Sequence, residues 1–242
     1  MKALWLALLV PCIASAQCVV PLCTAAKSSG TPLYMGPTLD GSYTVDATGS
    51  GTTVSTAGLT VPTAGDTVFI AVSARNSGTF TVTDSKGQTY TQIWVSPFES
   101  SLPGYTALFY LPNSASGSLT VTASITVSGG SMAIWAQPIK NANASTPLDS
   151  TFSSTFVTSS SSGSVSNGSC GTARTPGQNN TLVFSFANFD NTTPSVGANY
   201  TLLNTTDFMY LQYWQQATAT STTGAWVSSA DDWIVGCAGF HS

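Results

Sequence analysis

Ionisable side chains are scarce in this chain. Asp, Glu, Lys and Arg make up 7% of its 242 residues, with one histidine, His241, and one glutamate, Glu99. Acid–base and nucleophilic catalysis draw on clustered His, carboxylate, amine or thiolate groups of tuned pKa, so the composition speaks against an enzyme. Basic residues are fewest: six Lys and Arg face ten acids, for a net charge of −4. Nucleic acid and anionic membrane surfaces call for Lys/Arg-rich patches, and neither is an expected partner. The chain also lacks paired C-x-x-C knuckles, a histidine beside its cysteines and any D-x-D-x-D-G loop. Zinc and calcium sites are built from those patterns, so no metal or cofactor is expected. After the first residues no apolar run is long enough for a transmembrane helix.

Serine and threonine fill the space that charge leaves, at 71 of 242 residues. Period-two alternation recurs from about residue 42 onward, broken by Gly, Asn, Asp, Ser and Pro clusters. The clearest expected strands are 66–74 (DTVFIAVSA), 79–84 (TFTVTD), 88–95 (QTYTQIWV), 105–111 (YTALFYL), 118–126 (SLTVTASIT) and 132–138 (MAIWAQP). Further strands are expected at 180–189 (NTLVFSFANF), 208–216 (FMYLQYWQQ), 224–228 (GAWVS) and 232–240 (DWIVGCAGF). Asp84-Ser85-Lys86-Gly87 reads as a turn in which Gly87 takes positive φ without steric cost. Helical patterning is hard to find. Many short strands with turns between them imply an all-β fold: two packed antiparallel sheets in a β-sandwich. Segment 159–169 (SSSSGSVSNGS) is low-complexity and reads as a loop around one short strand.

The N-terminus has the pattern of an export signal: Lys2, the apolar stretch ALWLALLV, then Ala14-Ser15-Ala16 as a small-x-small cleavage site before Gln17. Residues 1–16 are therefore expected to be a signal peptide, 17–40 a proline-containing extension and 41–242 the sandwich domain. The expected location is secreted, extracellular or cell-surface. Loss of Lys2 leaves five basic against ten acidic residues, a net −5. Of five cysteines, Cys18, Cys23, Cys170 and Cys237 remain after cleavage. An even count in an oxidising compartment predicts two disulfides, preferably Cys18–Cys23 and Cys170–Cys237.

Several landmarks occur in order: Gly65-Asp66, the run from Thr83 to Tyr90, Leu108-Phe109-Tyr110, and Ser145 to Asp149. Asn180 to Val183, Asn199 to Leu202 and Asp232-Trp233-Ile234 follow. In this order the chain resembles an uncharacterised β-sandwich domain of secreted and cell-surface bacterial proteins and of some phage structural proteins. The resemblance covers about residues 50–240. It implies a jelly-roll-like sandwich and a surface role, and it supplies no catalytic residues.

Candidate sites are few. On strand 208–216, Phe208, Tyr210, Gln212, Trp214 and Gln216 share one face, while Met209, Leu211, Tyr213 and Gln215 share the other. The Met-Leu face reads as core. Tyr210 and Trp214 around the amide of Gln212 would offer rings for the C–H faces of a sugar and an amide for paired hydroxyls. Packing of both faces is the simpler reading. Asp84 and Asp231-Asp232 read as turn and strand caps in preference to calcium ligands. Asp66, Glu99 and Asp149 are the candidates for glycosidase-type acid–base work, which needs two carboxyls at a set separation. Alternating threonines at Thr79, Thr81 and Thr83, and at Thr120 and Thr122, are compatible with an ice-binding array but read more simply as solvent-facing strand residues. N-x-Ser/Thr sequons stand at Asn143, Asn167, Asn179, Asn191, Asn199 and Asn204, and carry meaning only in a host that reads them.

The expected function is that of a secreted, non-catalytic β-sandwich with a structural, adhesive or self-assembling surface role. Its partners would be copies of itself, through an arm at 19–35 added to a neighbouring sheet edge, or extracellular glycans. A stand-alone carbohydrate-binding module using Tyr210, Gln212 and Trp214 is the alternative, and a carboxylate-dependent glycoside hydrolase ranks third.

Overall fold

The computed structural model describes residues 34–48, 51–98, 104–127, 130–153, 157–165, 168–206 and 209–242, and for 157–165 and 206 the backbone alone. The signal segment, the extension up to residue 33, the Cys18–Cys23 pairing and Glu99 lie outside the described residues. In chain order the strands are β1 (Thr38–Leu39), β2 (Thr44–Thr48), β3 (Thr53–Ser55), β4 (Leu59–Val61), β5 (Thr67–Ala74), β6 (Phe80–Asp84), β7 (Thr91–Val95) and β8 (Tyr105–Leu111). They continue as β9 (Gly117–Leu119), β10 (Val121–Ile125), β11 (Met132–Lys140), β12 (Val157–Val165), β13 (Thr181–Phe189), β14 (Thr201–Thr206), β15 (Met209–Gln216) and β16 (Asp231–Phe240). One helical turn, α1 (Ser150–Ser153), precedes β12.

The fold is all-β and antiparallel as expected, but it stacks three layers where the strand pattern suggests two packed sheets. The central sheet runs β1-β11-β5-β8-β7, with β2 beside β1 along the same edge of β11. On one side lie the β3-β10-β6 sheet and the β4-β9 pair; on the other lies β12-β16-β13-β15-β14. Alternation decides which side each residue serves. Val68, Ile70 and Val72 of β5 join Val54, Val82 and Val121 in one core, whereas Phe69 and Ala71 join Phe184, Leu211 and Phe240 in the other. A central strand is buried on both faces and needs an unbroken apolar run. β5 (TVFIAVSA) has such a run, β13 (TLVFSFANF) has one interrupted only by Ser185 and Asn188, and both strands are buried throughout. β6 (FTVTD) alternates strictly between buried and exposed, as an outer strand must. The outer face of β13 and β16 is in turn covered by loops carrying Trp226, Tyr200 and Cys170 over Val183, Phe189 and Cys237.

The second core is aromatic. Phe69, Trp135, Phe184 and Phe240 are fully buried, and Phe69 meets the other three at centroid separations of 5.9, 4.7 and 5.2 Å. Burying each ring is worth roughly 2–3 kcal/mol, and each ring pair adds about 0.5–1.5 kcal/mol. This seam fixes the central sheet against β13 and β16. One detail keys it. Ile93 is an extra residue in β7, so Gln92 faces Phe109 and Trp94 faces Leu108. A bulge re-aims the side chain that follows it, and here it turns Trp94 onto Gly236 of β16, where the indole Nε1–H donates to the Cys237 carbonyl at 3.3 Å.

Expected and observed strands differ in a few places. Segment 118–126 is two strands, β9 and β10, which feed different sheets. Segment 224–228 is not a strand; Val227 makes one bridge, to Ser195. The serine-rich 159–169 stretch lies mostly within β12, which pairs with β16 and shifts register between Ser160 and Val165. Its ladder is made by backbone groups, which need partners whatever the side chains are, and so hydrophobic periodicity does not reveal it. The Asp84–Gly87 turn is as expected, with Gly87 at φ 73° and its N–H donating to the Asp84 carbonyl at 2.9 Å. After a single bridge, Thr83 to Thr89, the chain crosses from the outer sheet to the central one.

Candidate functional site

β15 places the three residues expected to bind sugar. Its Met209-Leu211 face packs into the second core with Tyr213, as the alternation implies, and Tyr210, Gln212 and Trp214 face the covering loops. Gln212 is not presented to a ligand, because it is fully buried and its amide is spent on backbone. Its Oε1 accepts from Gly197 N–H at 2.8 Å, and its Nε2 donates to the carbonyls of Ala225 at 3.0 Å and Gly224 at 3.4 Å. It braces two loops against the strand. Tyr210 is half-buried, edge-on to Phe189 and Trp226. Trp214 lines a surface opening.

That opening is a cleft of about 330 Å³ between Trp214, the 198–200 turn and segment 220–225. Tyr200, which sequence reasoning did not single out, forms its second aromatic wall. The two rings meet edge-to-face at 5.8 Å, and the Tyr200 hydroxyl lies 3.2 Å from Thr222 Oγ1. Burial pushes the Tyr200 phenol well above its ordinary pKa, against a smaller lowering by Thr222, so it stays protonated. Asn199, Thr220, Ser221, Thr222 and Thr223 supply the polar lining, and among the described residues no charged side chain joins them. The Cys170–Cys237 disulfide, with a Cα separation of 6.1 Å, holds the loop behind the cleft, where Cys170 N–H donates to the Thr223 carbonyl at 2.8 Å.

The carboxylates do structural work. Asp84 accepts from Lys86 and Gln88 N–H at 2.8 and 3.1 Å. Asp149 caps α1 through Phe152 N–H at 3.1 Å and holds Gly177 N–H at 2.8 Å. Burial raises the pKa of Asp231, but hydrogen bonds from Thr192, Asn191 and Asp232 outweigh it and leave the carboxyl below its ordinary range. Asp66 and Asp149 are not brought together. Asp66 pairs instead with Asp40, a partner the sequence did not suggest. Burial, then the hydrogen bond to Asp40 and its charge, push Asp66 up to about 6, against the Thr63 N–H and the Lys140 charge. Lys140 Nζ sits 3.2 Å from Asp40 Oδ1. Among the described residues no group of three or more His, Cys, Asp or Glu is placed to hold a metal, and no helix is long and apolar enough to cross a membrane.

The outer face of the β3-β10-β6 sheet is the second feature of note. Register sets Ser55, Thr122 and Thr83 in one row across the strands and Thr53, Ser124 and Thr81 in the next. Thr126 beside Thr79, and Thr120 beside Ser85, extend the array at either end through backbone bonds. None of these ten residues is buried, and every one carries a hydroxyl. Neighbouring strands are roughly 4.8 Å apart and same-face residues about 7 Å apart along a strand, so the hydroxyls repeat in two directions. No family model, curated protein or solved structure matches the chain.

Proposed function

We propose that this protein is exported and acts by contact: a non-catalytic, adhesive β-sandwich whose outer hydroxyl face lies against neutral, hydroxyl-rich extracellular polymer. The observation that carries the reading is the composition of that face. An ordinary solvated sheet face mixes Lys, Glu and Arg with its threonines, since charge keeps a surface soluble and unattached. Here Thr53, Ser55, Thr81, Thr83, Thr122 and Ser124 form two full rows without a charge. Hydroxyls donate and accept alike, so such a face meets another hydroxylated surface without desolvating an ion. The signal-like N-terminus and the Cys170–Cys237 bond support export, and the scarcity of charged side chains leaves few ions to desolvate against a neutral polymer.

Co-sedimentation with insoluble neutral polysaccharide, cellulose and chitin in parallel, tests the reading. Wild type is expected to pellet with at least one of them, and the Thr83→Glu/Ser124→Glu variant to stay in solution while its thermal unfolding is unchanged. Equal pelleting of wild type and variant, or pelleting of neither, would reject the hydroxyl face as the contact surface.

A further inference from the structure

We infer that the cleft beside Trp214 and Tyr200 is a separate binding site for a neutral sugar ring. It goes beyond the adhesive reading and rests on different residues, in the loops that cover the opposite outer layer of the stack. Its chemistry narrows the ligand class. A cleft of about 330 Å³ is at the small end of ligand sites, with room for a ring and little more. Among the described residues no Lys, Arg or His lines it to hold an anion, and no carboxylate lines it to hold a cation. Its lining mixes hydroxyls with ring and methyl carbon, which suits neither a purely apolar ligand nor a charged one. A pyranose has that same mixture: a C–H face for an aromatic ring and equatorial hydroxyls for Asn199, Thr220, Ser221 and Thr223.

The cleft is also held open in advance. Gln212 fastens Gly197 on one rim and Ala225 on the other from a single buried side chain. Thr222 is tied to Arg174 by two backbone hydrogen bonds of 2.9 Å. Thr222 Oγ1 accepts from Gly224 N–H at 3.1 Å and lies within hydrogen-bond distance of the Tyr200 hydroxyl. Trp214, packed against Tyr200, therefore keeps its ring in place without a ligand, and little ordering cost remains for binding. Asn199, at φ 70°, turns the chain at the mouth and leaves its own side chain exposed.

Affinity electrophoresis of the folded, disulfide-bonded protein through gels containing soluble polysaccharides tests this. The neutral probes are dextran, galactomannan, xylan and mixed-linkage β-glucan; the anionic controls are alginate and heparin. At least one neutral polymer is expected to retard wild type. Trp214→Ala is expected to weaken that retardation by about tenfold or more, the scale for truncating a contact aromatic. Ala198→Arg, which sends a long side chain from an exposed position into the cleft, is expected to do the same with wild-type thermal stability, which guards against misfolding of the Trp214 variant. No retardation by any neutral polymer, retardation by the anionic ones alone, or equal retardation of wild type and Ala198→Arg would each overturn the proposal. The Thr83→Glu/Ser124→Glu variant is expected to bind the soluble polymer as wild type does, so the two surfaces fail or succeed independently.

Discussion

A β-carbon on Gly236 would occupy space that Trp94 already fills. An ideal Cβ there lies 1.6 Å from Cζ2 of the indole, 2.2 Å from Cη2 and 2.5 Å from Cε2. Carbon atoms in contact sit about 3.5–4 Å apart, so Gly236→Ala must drive the ring back by roughly 2 Å into a core that includes Leu108 and Ala71. Overpacking of this kind costs about 1–3 kcal/mol. The ring also leaves the Cys237 carbonyl, and a buried N–H without an acceptor adds about 1–3 kcal/mol. The expected loss is on the order of 4 kcal/mol. Trp94→Leu alone opens a cavity and costs about 3 kcal/mol. On that background the clash is gone, and alanine in a strand interior is favoured over glycine by roughly 0.5–1 kcal/mol, so Gly236→Ala becomes neutral or stabilising. Urea unfolding of the four proteins under non-reducing conditions, followed by far-UV circular dichroism, gives the coupling energy. A value of about 3 kcal/mol or more is expected. An additive cycle, with Gly236→Ala equally costly beside Trp94 and Leu, would refute the claim that this contact keys the central sheet to β16.

Two further predictions concern other parts of the stack. The Cys170–Cys237 bond closes a loop spanning 67 residues, for which chain entropy gives about 4 kcal/mol; replacing both cysteines by serine is expected to lower Tm by roughly 8–16 °C at this domain size, as calorimetry would show, and an unchanged Tm would mean that the bond constrains nothing in the unfolded chain. At Asp66 the sign follows from a folded pKa raised to about 6. The folded state holds that proton more tightly, so the contribution to stability is full below about pH 4 and is lost as pH rises through 6. Asp66→Asn, which mimics the protonated carboxyl beside Asp40, is expected to match wild type near pH 4 and to exceed its Tm at pH 7–8; parallel Tm-against-pH curves for the two proteins would count against the raised pKa of Asp66.

How much of the fold could be read from sequence depended on where each strand sits. Strands with a buried face announce themselves: β5, β8, β11, β13, β15 and β16 coincide with the expected segments to within about two residues, the ordinary disagreement at strand ends. The third layer is also written in the sequence, since the apolar run Val68–Val72 of β5 suits a strand covered on both faces, whereas many short alternating strands by themselves suggest only two packed sheets. β12 and β14 were harder. Ser159 to Ser162 has no apolar signal at all, and its place beside β16 comes from backbone pairing. Thr201–Thr206 is an edge strand that pairs with β15 alone among the described residues.

The cleft was legible only in part, for a physical reason. Alternation along one strand puts Trp214 on the outward face, and that needs nothing but period two. What surrounds Trp214 comes from residues 198–200 and 220–225, brought there by contacts that have no local signature. The amide of Gln212 determines where both loops stop. In a strand reading Gln212 sits between two aromatics and so looks like part of a binding platform. Burial changes its role, because an amide with no access to water must find backbone partners, and the loops it captures become the walls of the site. The same rule makes Asp84, Asp149 and Asp231 caps for neighbouring amides and brings Asp40 against Asp66. In a chain this poor in charge, the buried side chains of Gln212, Asp84, Asp149 and Asp231 hold loops in place. What both proposed surfaces present is uncharged hydroxyls, some bonded to one another as Ser55 and Thr122 are at 2.8 Å, and half-exposed rings.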